Sequence, residues 1–139
     1  MVFTQISNQH IDTIIHIASY EDNREDTIDD LDKKVSNSMK SLYLLLHSMS
    51  SLHMKVDNFT AVIDNSISVN GKEDGINPIN RAFTGMIKSV AKEYTSMNFK
   101  VIDLDTITDM GKFGFEILSK DQTILVVFRN NVRYIAVSY

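Results

Sequence analysis

The chain has 139 residues, 43% of them hydrophobic and 23% charged, with a formal net charge of −4 at pH 7. That length suits one domain, 1–139, with a hydrophobic core, while the acidic balance and the lack of any Lys/Arg cluster exclude a nucleic-acid face built on a basic patch. With no cysteine there is no disulfide framework, thiol nucleophile or cysteine-ligated zinc. No apolar run nears the roughly 20 residues of a membrane span, and the opening MVFTQISNQH lacks the basic and apolar regions of a signal peptide. We therefore expect a cytoplasmic domain that contacts neither membrane nor nucleic acid.

In chain order, Val2 to Ile6 is expected to form a short edge strand. Ile11 to Ala18, IDTIIHIA, is β-branched and nearly continuous in apolar character, as in a parallel strand covered on both faces. An acidic run follows, in which Glu21, Asp22, Glu25, Asp26, Asp29, Asp30 and Asp32 surround the single base Arg24. Acids favour helix N-termini, so the run reads as a solvated approach to a helix rather than a metal or basic-partner site. Asp29 or Asp30 would cap that helix, which ends near Ser51. Its stripe of Leu31, Val35, Met39, Leu42, Tyr43, Leu46 and Met49 recurs at three-and-four spacing. Ser36, Ser38 and Ser41 fall on or near its polar side.

Asn58 to Asp64, NFTAVID, reads as a second buried strand, and Asn65 to Asn77 as a loop with Gly71 and Gly75 as its flexible points. Asn77 can cap the next helix, with Pro78 at the first helical position. Ile79, Ala82, Phe83, Met86, Ile87, Val90, Ala91 and Tyr94 form its apolar face. Phe99 to Leu104 is a strand with carboxylates at its end, Asp103 and Asp105. Thr106 to Ser119 suggests a shorter helix capped by Thr106 or Thr108, weakened by Gly111 and Gly114. Gln122 to Phe128 and Val132 to Val137 are β-rich runs joined at Asn130-Asn131, a pair suited to the positive φ of a tight hairpin. This order predicts an α/β fold: a truncated Rossmann-like three-layer sandwich, its sheet mostly parallel with a C-terminal antiparallel hairpin.

Tests for chemistry return little. The dinucleotide fingerprint needs glycines in the first strand-to-helix turn, but the turn after Ile17 reads ASYEDNRED and would repel a phosphate. Short-chain dehydrogenase chemistry needs a serine after the middle strand and a Tyr-x-x-x-Lys opening the next helix. Ser66 and Ser68 follow a strand, but Tyr94 stands at the wrong end of its helix with no lysine four positions on. His10, His16, His47 and His53 show no ligand spacing, and His16 reads as a hydrogen-bonded core or strand-end residue. Asp64, Asp103 and Asp105 at strand ends could bind a cation or equally cap the turns that follow. The seven methionines read as core.

The ordered set of segments resembles the structural, non-catalytic subdomain of polyketide synthase ketoreductases. Ile14-Ile15-His16 is similar to its "vvHl" strand, and Lys40 to Leu46, KSLYLLL, to its "sLlhLlqal" helix. Asn77-Pro78 with Gly85 to Tyr94, GMIKSVAKEY, resembles the helix that follows, and Val101 to Asp105, VIDLD, its "v-r-x-i-D-l-d" strand. Arg129 and Arg133-Tyr134-Ile135 resemble the "R…g-x-R-y-v" ending. Two departures stand out: the family's first βα elements have no counterpart before the His16 strand, and the catalytic half is missing. The chain thus resembles the truncated pseudo-ketoreductase type, in a style closer to bacterial synthases that use free-standing acyltransferases and make polyketide antibiotics.

This resemblance implies no catalytic residue, no cofactor or metal site, and a chain that is not itself an enzyme. It implies a scaffold packed against neighbouring synthase domains (a catalytic ketoreductase, a methyltransferase or a dehydratase) through Val2–Ile6 and the helix Leu31–Met49. One alternative is half of a split NADPH-dependent ketoreductase completed by another chain, with Ser66, Ser68 and Tyr94 as its candidate groups. Another is a small ligand-binding domain using the acid-bearing strand ends.

Overall fold

The structure, a computed structural model, describes residues 10–17, 27–69, 71, 78–119, 121 and 123–136. Its elements are β1 (His10–Ile17), α1 (Ile28–Ser51), β2 (Lys55–Asp64), α2 (Pro78–Glu93), β3 (Asn98–Leu104), α3 (Met110–Leu118), β4 (Leu125–Arg129) and β5 (Val132–Ile135). Val2–Ile6, the acidic run up to Asp26 and the Asn77 cap lie outside the described residues.

Local chemistry sets most of the boundaries. α1 starts two residues before the expected caps, because Thr27 forms a capping box with Asp30. The Thr27 hydroxyl accepts from the Asp30 amide at 3.2 Å, and the Asp30 carboxylate accepts from the Thr27 amide at 3.1 Å. The Thr27 amide, followed by its hydroxyl, holds the Asp30 carboxyl below the usual carboxylate range. At the other end His53, at φ +53, turns the chain out of the helix, and the Met54 amide donates to the Met49 carbonyl at 3.0 Å. α3 is shorter than its sequence suggests. Thr108 is drawn into a turn in which its hydroxyl donates to Asp105 Oδ1 at 2.7 Å. The cap is instead Asp109, whose carboxylate accepts from the Lys112 amide at 3.0 Å. Asn130 and Asn131, at φ +52 and +62, make the expected hairpin turn between Arg129 and Val132.

Among the described residues the strands form one five-stranded sheet in the order β1-β2-β3-β4-β5. The first four run parallel, and β5 returns antiparallel to β4. This is the predicted α/β architecture. α1 and α2 cover one face, where Leu42, Leu46, Met49, Phe83 and Ile87 pack on Phe59, Ala61, Ile63, Val101 and Val127. α3 covers the other, with Phe113 and Ile117 on Ile102, Val126 and Phe128. The sheet advances strand by strand in one direction while α3 changes face, so the β3–α3–β4 crossover has the opposite hand to the two before it, an arrangement rare among parallel connections.

Two expectations for α1 change. Ser38 is buried rather than on the polar side. The stripe Leu42, Leu46 and Met49 is core and not a surface for partners, while Tyr43 points outward and stacks on His47 with ring centroids 5.9 Å apart. Leu42 is 0% exposed and its neighbour Tyr43 61%. Leu42→Ala should therefore cost about 2–5 kcal/mol of unfolding free energy and Tyr43→Ala less than about 0.5 kcal/mol, as read from urea denaturation midpoints.

Candidate functional site

In open α/β sheets, ligands bind outside the carboxyl ends of the strands. Here that rim carries the three carboxylates singled out in the sequence, and each is held by the protein itself. Asp64 Oδ1 accepts from the Asn80 side-chain amide at 2.8 Å, across to the first turn of α2. Asp105 accepts from the Thr108 hydroxyl at 2.7 Å and from the Asn130 amide at 2.8 Å. Burial works against Asp105, but the Asn130 amide and the Thr108 hydroxyl outweigh it and keep the carboxyl below the usual range. Asp105 thus caps the turn that follows it, whereas Asp64 reaches across to α2. No cluster of three or more His, Asp or Glu placed to hold a metal ion occurs among the described residues.

Asp103 is the centre of the rim. It is completely buried, and its Oδ2 accepts from Arg129 Nη2 at 2.9 Å, the Ser66 amide at 2.9 Å and the Ile67 amide at 2.7 Å. Arg129 is nearly as buried and donates further to the Phe128 and Ile67 carbonyls at 2.8 and 2.9 Å. Burial pushes the Asp103 carboxyl above the usual range, against the pull of Arg129 and the two amides toward the ionised form.

His16 sits at the end of β1 between two phenyl rings, 5.5 Å from Phe83 and 6.1 Å from Phe59, stacked on both. Its Nε2 is buried with no hydrogen-bond partner among the described residues. The sequence suggests a hydrogen-bonded core or strand-end residue; the described contacts of this half-buried ring are the two phenyl groups. Burial lowers its pKa from the usual imidazole value.

A second charged group, which the sequence reading missed, lies on the α3 face. Lys100 Nζ donates to Glu116 at 3.2 Å and to Asp121 at 2.9 Å. Arg133 grips the same two acids, with Nε on Glu116 Oε2 and Nη2 on Asp121 Oδ2, both at 2.9 Å. Burial pushes the Glu116 carboxyl up, but Arg133 and Lys100 outweigh it and the net shift is downward. The signal was available: a lysine inside the apolar strand FKVIDL has to find a carboxylate if that strand is buried.

The groups of the split-reductase alternative are not brought together. Ser66 is buried beside the first turn of α2, its hydroxyl donating to the Asp64 carbonyl at 2.8 Å. Tyr94 follows the last turn of the same helix and lines a groove of about 420 Å³ with Met49, His53, Met54 and Met97. Ser68 is exposed in the loop after β2.

Two outcomes follow from the rim. Arg129→Met leaves a buried carboxylate without its counter-charge and should cost about 3–5 kcal/mol in urea denaturation. Adding Asp103→Asn, which removes the charge and keeps an acceptor for the two amides, should restore part of that loss. For His16, the folded pKa lies below the unfolded value of about 6.5. Between the two values the unfolded chain binds more protons, so His16's contribution to stability is complete above about pH 6.5 and is lost as pH falls toward the folded pKa. The difference in unfolding free energy between wild type and His16→Leu should change across that window and be constant above it.

A family model described as Beta-ketoacyl synthase-like, N-terminal matches residues 3–121. No curated protein and no solved structure matches the chain. The family match corrects the expectation that the chain is not an enzyme, because it relates the chain to synthases, a typically catalytic group. It supports a relation to polyketide and fatty acid synthases without singling out a ketoreductase subdomain. Matched over residues 3–121, most of its length, the chain belongs to the Beta-ketoacyl synthase-like, N-terminal family.

Proposed function

We propose that this domain braces a polyketide- or fatty-acid-synthase-type multienzyme, and that its sheet is the structural half of a ketoreductase, acting through the surfaces it offers to neighbouring synthase domains. The observation that supports the reading is the rim: among the described residues the carboxylates at the strand ends are engaged by the protein itself, in Asp64–Asn80, Asp103–Arg129 and Asp105–Thr108. Two segments that resemble the ketoreductase subdomain, VIDLD and the Arg129 ending, meet in the Asp103–Arg129 pair.

The outer surface supports contact with partners. α3 packs Phe113 and Ile117 on the sheet and turns Phe115, 76% exposed, and Leu118, 77% exposed, away from it. Clustered exposed apolar residues mark interaction sites. Ile15 and Ile17 of β1 and Tyr43 and Leu44 of α1 are exposed as well. No helix among the described residues is long and apolar enough to cross a membrane.

Co-expressed with a ketoreductase, methyltransferase or dehydratase domain of the synthase it belongs to, the chain should elute with its partner as one stoichiometric complex. Its unfolding midpoint should rise, since a partner that binds only the folded state stabilises it. Phe115→Asp with Leu118→Asp should weaken the complex while leaving the isolated domain folded. Separate elution with an unchanged midpoint would end this reading.

A further inference from the structure

We propose that α3 is a latch: it opens from the sheet as a unit while the other helices and the strands stay folded, with Glu116 as its catch. This does not rest on the bracing role. What each helix buries sets α3 apart. α1 buries Leu42, Leu46 and Met49, and α2 buries Phe83 and Ile87. The side chain that α3 buries fully is a carboxylate, Glu116, while Phe113 and Ile117 are half-buried over Ile102, Val126 and Phe128. A cleft also lies on each side of the helix. One, of about 610 Å³, opens toward the hairpin and is lined by Phe115, Phe128 and Arg133. The other, of about 400 Å³, opens toward β1 and is lined by Ile15, Ile117 and Leu118. α3 thus meets the sheet along a narrow line.

The kind of contact matters as much as its extent. Apolar burial stabilises in proportion to the area covered, and α3 covers little. Its buried carboxylate is gripped from two strands, by Lys100 of β3 at 3.2 Å and Arg133 of β5 at 2.9 Å. Breaking such a pair inside the protein is costly, but a helix that lifts away carries Glu116 into water, where hydration replaces much of what the pair supplied. The pair therefore fixes where α3 closes more than it resists opening of the whole helix.

The remaining ties are weak. At the N-terminal end the Asp109 amide and Lys112 Nζ both donate to Asn131 at 2.7 Å; both bonds are exposed, and water can take them over. Gly114 lowers the stability of the helix itself. Few buried apolar contacts and exposed hydrogen bonds mark the segments that open first, and here they coincide in one helix. In the open form Ile102, Val126 and Phe128 become an accessible apolar strip on β3 and β4.

Amide hydrogen exchange of the full chain under native conditions tests the latch. After correction for intrinsic rates, amides 114–118 should exchange at least about tenfold faster than those of β3 and of α1 around Leu42. Their rates should hardly respond to urea below the unfolding transition, because the opening exposes little surface. Leu42→Ala should speed exchange in α1 and β3 by at least about thirtyfold and leave α3 unchanged. Gly114→Ala, whose added Cβ meets nothing within 4 Å, should slow α3 exchange about fourfold. Glu116→Gln should speed it about tenfold. The inference is overturned by α3 amides that exchange no faster than those of β3, that follow urea as steeply, or that accelerate with Leu42→Ala by the same factor. Each of these means that α3 opens only with the whole fold.

Discussion

One carboxylate oxygen ties three strands together. Asp103 lies in β3, Arg129 ends β4, and the Ser66 and Ile67 amides follow β2, and all three donors converge on Asp103 Oδ2. The net contribution of such a pair to stability is modest, because the attraction of two buried charges is largely offset by the loss of their hydration. Its effect on register is larger. A slip of one residue in this strand would move its side chains to the other face, turning the Asp103 carboxylate toward Val126 and Phe128 and away from Arg129. The pair therefore specifies how β2, β3 and β4 align more than it adds to the free energy of folding.

The opposite face is organised on a weaker footing. α1 and α2 meet the sheet through a broad apolar cluster, whereas α3 contributes Phe113 and Ile117 and leans on the Lys100–Glu116–Arg133–Asp121 group. Arg133 and Asp121 are each more than a third exposed, where solvent and salt screen an ion pair to a fraction of its buried strength. A short helix with two glycines, few inward contacts and a left-over apolar side is the least secured element of the fold. In the proposed bracing role it is also the element a partner would complete.

The fold was legible because its signals are local and periodic. The β-branched runs at Ile11–Ala18 and Phe99–Leu104, the stripe on α1 and the Asn130-Asn131 turn each announce themselves within a few residues, and α1 ends at Ser51, where the stripe stops. Boundaries decided by a single side-chain bond were less visible. Thr27 displaces Asp29 and Asp30 as the cap of α1 only because Asp30 reaches back to its amide, and α3 loses its first turn to the Thr108–Asp105 bond. The rim was half legible. Asp64, Asp103 and Asp105 stood out at strand ends, but their partners lie far along the chain, and Arg129, which decides the state of Asp103, sits 26 positions away. No spacing rule reaches that far; only the sheet order brings the two together.

The distribution of polarity links these pieces. Asp103, Arg129, His16 and Lys100 are turned inward and held by bonds or rings of the same chain, while large apolar side chains such as Phe115, Leu118 and Ile17 face outward. Covering a side chain such as Phe115 or Leu118 contributes roughly 1.5–3 kcal/mol, and a partner that covered both would draw that free energy without disturbing the Asp103–Arg129 pair on the other face. Contact on the α3 side and alignment on the rim side are thus separable, so such a domain can exchange or lose a neighbour while its sheet stays in register.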